Sequence, residues 1–320
     1  MDKWKPGASI GALKRRAQMM ASIRHFFSRR SVLEVDVPLL SSSTVTDINI
    51  ESISAKVGGS KGYLQTSPEY FMKRLLASGS GDIYSMSKAF RDGEVGSKHN
   101  PEFTMLEWYR CGWDEHQLID EVIDLISSVI SAPENVTIDI TKISYIDCFV
   151  HHLGFDPQDA DLDRLQEIAA GLASESWSEE TRENCLDLIF SLKVEPQLPL
   201  GIAIIYDYPE CQSALAQLGV NSAGQKVSRR FEVFLNRVEV GNGYLELTDA
   251  DEQRSRFNRD CINREKRKIS PVNIDIKLLA ALEAGLPSCA GVAIGVDRLL
   301  MSEAESNSID EVVSFSWLRC

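Results

Sequence analysis

The chain has 320 residues, enough to bury a large core as one big domain or two ordinary ones. Its 34 Lys and Arg stand against 47 Asp and Glu, a net charge of -13, which argues against broad, non-specific contact with a nucleic-acid backbone but is compatible with a local basic patch. The first residues hold no apolar signal-peptide core, no apolar run reaches membrane-spanning length, and the seven cysteines include no C-x-x-C pair, so we expect reduced thiols in a cytoplasmic protein rather than a zinc site or disulfide framework.

Residues Ala12 to Arg30 place Leu13, Ala17, Met20, Ile23 and Phe27 at helical spacing. Ser31 to Leu40 follows as an extended run whose Pro38 suits a strand end. Thr44 to Leu64 is strand-rich, with a turn at Gly58-Gly59-Ser60-Lys61-Gly62. The string Thr66-Ser67-Pro68-Glu69-Tyr70 then starts a helix: Thr66 or Ser67 caps it, Pro68 suits its first turn, and Glu69 complements the dipole there.

Phe90 to Arg110 is predicted as strand, polar loop and returning strand. Asp92, Gly93, Gly96, Asn100 and Pro101 punctuate the loop, and Phe103 to Tyr109 is rich in β-formers. An Arg at the lip of such a hairpin pairs with phosphate through its planar fork, and a Phe on the returning strand offers a face to a base. Taken singly, each residue also suits an ordinary surface hairpin.

Glu115 to Ser131 reads as a helix with Leu118, Ile119, Val122, Ile123, Leu125 and Ile126 on one broad face. Pro133 to Leu200 is mostly helical in pattern, over Thr141–Leu153, Asp161–Leu172 and Ser178–Leu192. His151 and His152 are adjacent, so a helix points them to different faces and a metal pair is disfavoured. Gly201 to Tyr206 is a buried-strand candidate, and Phe231 to Val240 alternates with a phase change. Gly241-Asn242-Gly243 carries turn chemistry, followed by a short strand. Asp249 to Lys268 is a charged helix, and Asp275 to Ala284 an amphipathic one with Gly285 as its C-cap. Gly291-Val292-Ala293-Ile294-Gly295-Val296-Asp297-Arg298 is a glycine-rich strand that runs into a helix.

Arg91 with His99-Asn100-Pro101-Glu102-Phe103-Thr104 resembles motif 2 of the class II aminoacyl-tRNA synthetases, in the lysyl/aspartyl/asparaginyl branch. The Gly291–Arg298 string resembles motif 3, and the first helix, strand and Pro38 resemble motif 1. The resemblance implies an α+β fold: one catalytic domain over residues 1–320, an antiparallel sheet flanked by helices, and a mostly helical insertion over about 112–200. Motif 1 comes almost at once, so no anticodon-binding barrel is expected. Ser67 and Ala293 stand where lysyl synthetases usually carry Ala and Gly. Both are similar instead to the truncated lysyl-synthetase paralogues that modify elongation factor P.

The resemblance also implies roles. Arg91 and Arg298 are the catalytic pair: Arg91 grips the α-phosphate and the attacking carboxylate, while Phe103 and Arg298 sandwich adenine. Asp92, Gly93, Glu94, Asn100, Glu239, Val240 and Gly295 complete the ATP set. Glu239, with Glu246 sharing, is the expected Mg²⁺ ligand, because that ion takes oxygen donors and phosphates. Glu69, Glu107, Tyr109 and Glu246, with Ser67, Pro68, Asn242 and Ala293, would form a pocket for two ammonium groups. Its implied substrate is lysine-like, (R)-β-lysine in the ligase branch, activated with ATP as an adenylate and passed to a lysine ε-amine of elongation factor P. A homodimer and no stable tRNA binding are implied with it, and no membrane partner is expected.

One position departs from the motif. Related sequences carry Glu two residues after the motif 2 Arg, and here Gly93 fills that place with Glu94 next. Either Glu94 shifts to read the adenine amino group, or ATP binds more weakly. The alternatives to the ligase are a stand-alone lysyl-tRNA synthetase-like enzyme charging tRNA or another acceptor, and a non-catalytic amino-acid sensor. Retention of Arg91, Phe103, Glu239, Glu246 and Arg298 opposes the sensor, and Gly93 favours it.

Overall fold

Ser9 starts the first helix by accepting a hydrogen bond from the Ala12 N–H, and α1 runs Ile10–Ser28. In this computed structural model, residues 4–130 and 138–320 are described. They fall into two units: Met1–Asp114, Asp124–Ser131 and Glu246–Cys320 in the first, Glu115–Ile123 and Ala132–Leu245 in the second.

In the first unit α1 buries Met19, Ile23, Phe26 and Phe27, so Met19 rather than Met20 faces the core. The expected extended run is reduced to β1, Leu33–Glu34, and the start of β2, Leu40–Ser41. The hairpin β3, Ser54–Val57, and β4, Ser60–Leu64, turns at Gly58 and Gly59, with φ of 55° and 89°; β2, β4 and β3 form a small antiparallel sheet in that order. Helix α2, Glu69–Ala77, has Pro68 as its N-cap, not in its first turn, and Ser67 Oγ accepts from the Glu69 N–H at 3.3 Å. Strands β5, Ile83–Phe90, and β6, Glu102–Cys111, are the predicted hairpin, paired antiparallel from Ile83↔Tyr109 to Phe90↔Glu102. Phe27 stacks on Tyr84 at 4.4 Å and meets Trp108 edge-on at 5.3 Å, which seats α1 on this hairpin. Each such buried ring contributes about 1.5–3 kcal/mol.

Helix α3, Glu115–Val129, buries the six predicted apolar residues; Ser131, the expected last residue, and Pro133 lie outside the described residues.

The second unit corrects two expectations. Thr141–Ser144 is not helix: it lies in β7, Ile140–Ser144, parallel to β8, Ile202–Pro209, and Ser144 caps α4, Tyr145–Leu153. A parallel partner overrides the local pattern here. Helices α5, Leu162–Leu172, and α6, Arg182–Ile189, follow, α6 running on into one π turn at Phe190–Val194. Beyond β9, Leu218–Val220, the long strands are β10, Lys226–Leu235, and β11, Val238–Leu245. Their turn lies at Asn236 and Arg237, with φ of 50° and 67°, and Gly241-Asn242-Gly243 sits inside β11. The phase change seen in the sequence falls at this turn, between Leu235 and Val238, and a separate bulge lies between Val233 and Phe234. The strands run in the order β11-β10-β8-β7, with β9 on β10. Tyr145, Phe149, Phe190, Tyr208 and Phe234 make an aromatic core, with Tyr145 stacked on Phe190 at 5.1 Å.

The first unit resumes with α7, Ala250–Lys266, capped by Asp249, and α8, Ile276–Gly285, whose last residue is the glycine expected as its cap. Strand β12, Cys289–Gly295, pairs with β6, and α9, Val296–Glu303, follows at once. The first unit's main strands run β1-β5-β6-β12. The β1–β5 and β7–β8 pairs are parallel, so the strand pairing is mixed rather than wholly antiparallel. Among the described residues no helix is long and apolar enough to cross a membrane.

Candidate active site

Motif 2 and motif 3 meet on neighbouring strands, β6 and β12. The register Gly291↔Tyr109, Ala293↔Glu107, Gly295↔Met105 puts alternate residues of β12 and β6 on a shared face. On the other side of β6, Ser85↔Glu107 and Ser87↔Met105 continue it. Small residues on both flanks leave the long side chains of β6 standing over an open floor. A Cβ at Gly291 would collide with the Glu246 carboxylate and the Tyr109 ring, so only glycine admits that pair.

Around this floor lies an acidic cluster. Lys73, buried on α2, places Nζ 2.6 Å from both Glu69 and Glu246. Tyr109 donates its hydroxyl to Glu107 at 2.7 Å. Burial pushes Glu107 well above the ordinary carboxylate range, helped by the charge of Glu69 and opposed by the Tyr109 hydrogen bond. Burial also raises Glu246, to about 7, against the pull of the Lys73 charge. Three carboxylates therefore surround one ammonium. A buried carboxylate is costly unless a cation reaches it, so the cluster suits an incoming amine. The Lys73 contact also argues against a divalent metal at Glu246, since a second cation would face that ammonium.

The arginines flank the same hairpin. Arg91 follows β5, its N–H on the Pro101 carbonyl at 2.9 Å, and its guanidinium lies 5.2 Å from the centre of the Phe103 ring. Among the described residues its Nε is buried without a hydrogen-bond partner, which leaves a donor for an incoming anion. Gly93 has φ 76°, a left-handed conformation in which Glu would be strained. The turn it makes carries Glu94 back to Arg91, at 3.4 Å. Arg298 sits in the first turn of α9, and its guanidinium lies 2.6 Å from the His99 ring of the same loop. Asp297 holds that helix start on β6, accepting from the Thr104 N–H at 2.8 Å and pairing with Arg16. Asn100 is engaged inside the protein: its amide donates to the Glu102 carbonyl at 2.6 Å and accepts from the Trp317 N–H at 2.8 Å.

In the second unit Asn242 stands on β11 opposite Glu232, and its Oδ1 accepts from Arg230 Nε at 3.2 Å. Arg230 also donates to the Gln212 carbonyl at 3.0 Å and to Glu232 at 2.5 Å, with its guanidinium over Tyr208. Glu232 is pushed up to about 7 by burial, relieved by Arg230 and raised again by the Glu239 charge. Val240 is buried. Glu239 adds its charge beside Glu232 and is the carboxylate a divalent cation would take there, since Arg230 already pairs with Glu232. Among the described residues no group of three or more His, Cys, Asp or Glu is placed to cage a metal, and Mg²⁺ carried largely by phosphates needs only one or two carboxylates.

Within the first unit the structure brings together Ser67, Pro68, Glu69, Glu107, Tyr109, Glu246 and Ala293, and around the loop Arg91, Asp92, Gly93, Glu94, Asn100, Phe103, Gly295 and Arg298. Sequence reasoning missed Lys73, Ser85, Ser87, the pairing of His99 with Arg298, and Arg230. The Glu69–Lys73 spacing of four on a helix was the available signal for the first.

The chain matches the family of class II tRNA synthetases (D, K and N) over residues 8–319. It is 45% identical over 322 residues to an elongation factor P–(R)-β-lysine ligase of Vibrio vulnificus strain YJ016, covering 98% of this chain and 97% of the relative. It is 43% identical over 321 residues to the ligase of the same name from Yersinia pestis strain Pestoides F, with the same coverage of 98% and 97%.

Proposed function

The chain belongs to the class II tRNA synthetases of the D, K and N type, and from that membership we propose that it is an ATP-dependent ligase that activates (R)-β-lysine as an aminoacyl-adenylate and transfers it to a lysine ε-amine of elongation factor P. The relatives carry that name over nearly their whole length. The observation that carries the substrate class is the cluster of Glu69, Glu107 and Glu246 around one lysine.

In the first step an oxygen of the substrate carboxylate attacks the α-phosphorus of ATP and the bond to pyrophosphate breaks. Arg91 holds that phosphate and the attacking carboxylate, which brings two anions together at low cost. Phe103 and Arg298 hold the adenine between them. Glu239 is the residue we assign to Mg²⁺, whose chemistry is to neutralise charge on the phosphates. In the second step the acceptor ε-nitrogen attacks the carbonyl carbon, AMP leaves, and the nitrogen loses a proton. No protein nucleophile is needed. A homodimer through α1 and the Pro38 segment goes with this reading.

The test is ATP–pyrophosphate exchange with lysine isomers, followed by transfer assays. We expect exchange that prefers (R)-β-lysine over α-lysine, and label on elongation factor P. No exchange with any isomer makes the protein a sensor, and label on tRNA alone makes it a synthetase. Arg298→Ala should lower exchange by about 10²–10³-fold while the thermal melt is kept; retained activity removes Arg298 from the nucleotide site.

A further inference from the structure

The loop between β5 and β6 has a second set of holders outside the motifs. The Ser97 carbonyl accepts from the Ile309 N–H at 2.7 Å, and Asn100 Oδ1 accepts from the Trp317 N–H at 2.8 Å. Between those two donors the chain is folded back on Asp310. That carboxylate accepts from Ser316 Oγ at 2.7 Å and from Arg319 Nη2 at 2.6 Å. Gly7 closes the other side: its N–H bonds the Ser314 carbonyl at 3.0 Å, and a Cβ there would collide with Asp310. Trp317 is 60% exposed, so the grip comes from its backbone rather than its ring. His99, which contacts Arg298, lies between the two gripped residues.

We propose that residues 309–319 are a clamp that positions the nucleotide loop, with Asp310 as its positioning residue. The proposal rests on the reading of this loop as the ATP site. Asp310 sets the fold of the segment, the segment fixes Ser97 and Asn100, and those fix the residue that steers Arg298. The clamp acts on ATP and leaves the amino-acid pocket alone, because Glu69, Lys73 and Glu246 have no part in it.

The experiment measures ATP binding to the full chain by calorimetry and, in exchange assays, KM for ATP and for (R)-β-lysine. Asp310→Ala should weaken ATP about tenfold, the effect of one or two lost hydrogen bonds, with the amino-acid KM unchanged. Asp310→Asn, which keeps an acceptor oxygen, should recover part of the loss. If Asp310→Ala does not fold, Arg319→Lys serves instead, with a smaller rise in the ATP KM alone. Unchanged ATP affinity in a folded variant overturns the clamp by itself. An equal loss for ATP and amino acid also overturns it, as general loosening. A wild-type chain that binds no ATP overturns the nucleotide reading and the clamp together.

Discussion

Two buried charge clusters, one in each unit, differ in how they are completed. In the second, Arg230 meets one carboxylate, Glu232, and its other donors reach Asn242 and the Gln212 carbonyl. Arg230 is paired one to one with Glu232 there, and the pair orients Asn242. In the first, Lys73 faces Glu69 and Glu246, and Glu107 stands beside Tyr109. Anions outnumber the cation. A balanced buried pair belongs to the fold, whereas an excess of one sign costs stability that only a ligand of the other sign returns.

The largest test breaks the balanced cluster. Arg230→Met should cost about 3–5 kcal/mol in denaturant unfolding by leaving Glu232 alone, and the double change with Glu232→Leu should return most of it. A small loss in the single variant would show that the cluster is not held by charge. Next, Glu246→Gln should leave the fold intact, raise the amino-acid KM about tenfold to a hundredfold, and spare the ATP KM. A change in ATP use alone would move Glu246 to the nucleotide.

The last effect is in pH, and its two signs are opposed. Glu246 rises from its ordinary 4.5 to about 7 in the folded protein. Its contribution to stability is therefore complete below about 4.5 and lost as pH rises through about 7. Amine binding needs the ionised form, so the amino-acid KM should fall about tenfold per unit as pH rises towards 7 and level off above. A KM flat between pH 5 and about 7 would show that the pocket is already ionised.

Much of this was legible in the chain. The hairpin, α3 and the motif 3 strand and helix fall where period and turn chemistry put them, because each is decided by neighbours within a few residues. The failures share a cause. Gly241-Asn242-Gly243 has the chemistry of a turn, yet it lies inside β11 paired with Phe231 to Val233 of β10, and the chain turns at Asn236 and Arg237. Thr141–Ser144 is strand only because β8, far along the chain, lies beside it.

The sequence by itself determined the residue types we assign to phosphate, base and amine, and the order in which they occur, since side-chain chemistry and short spacing are local. Tertiary structure alone decided that Glu246 joins Lys73 and Glu69, that His99 meets Arg298, and that the segment carrying Asp310 holds the loop between β5 and β6. Those contacts join residues by pairing and burial, and neither leaves a period in the chain.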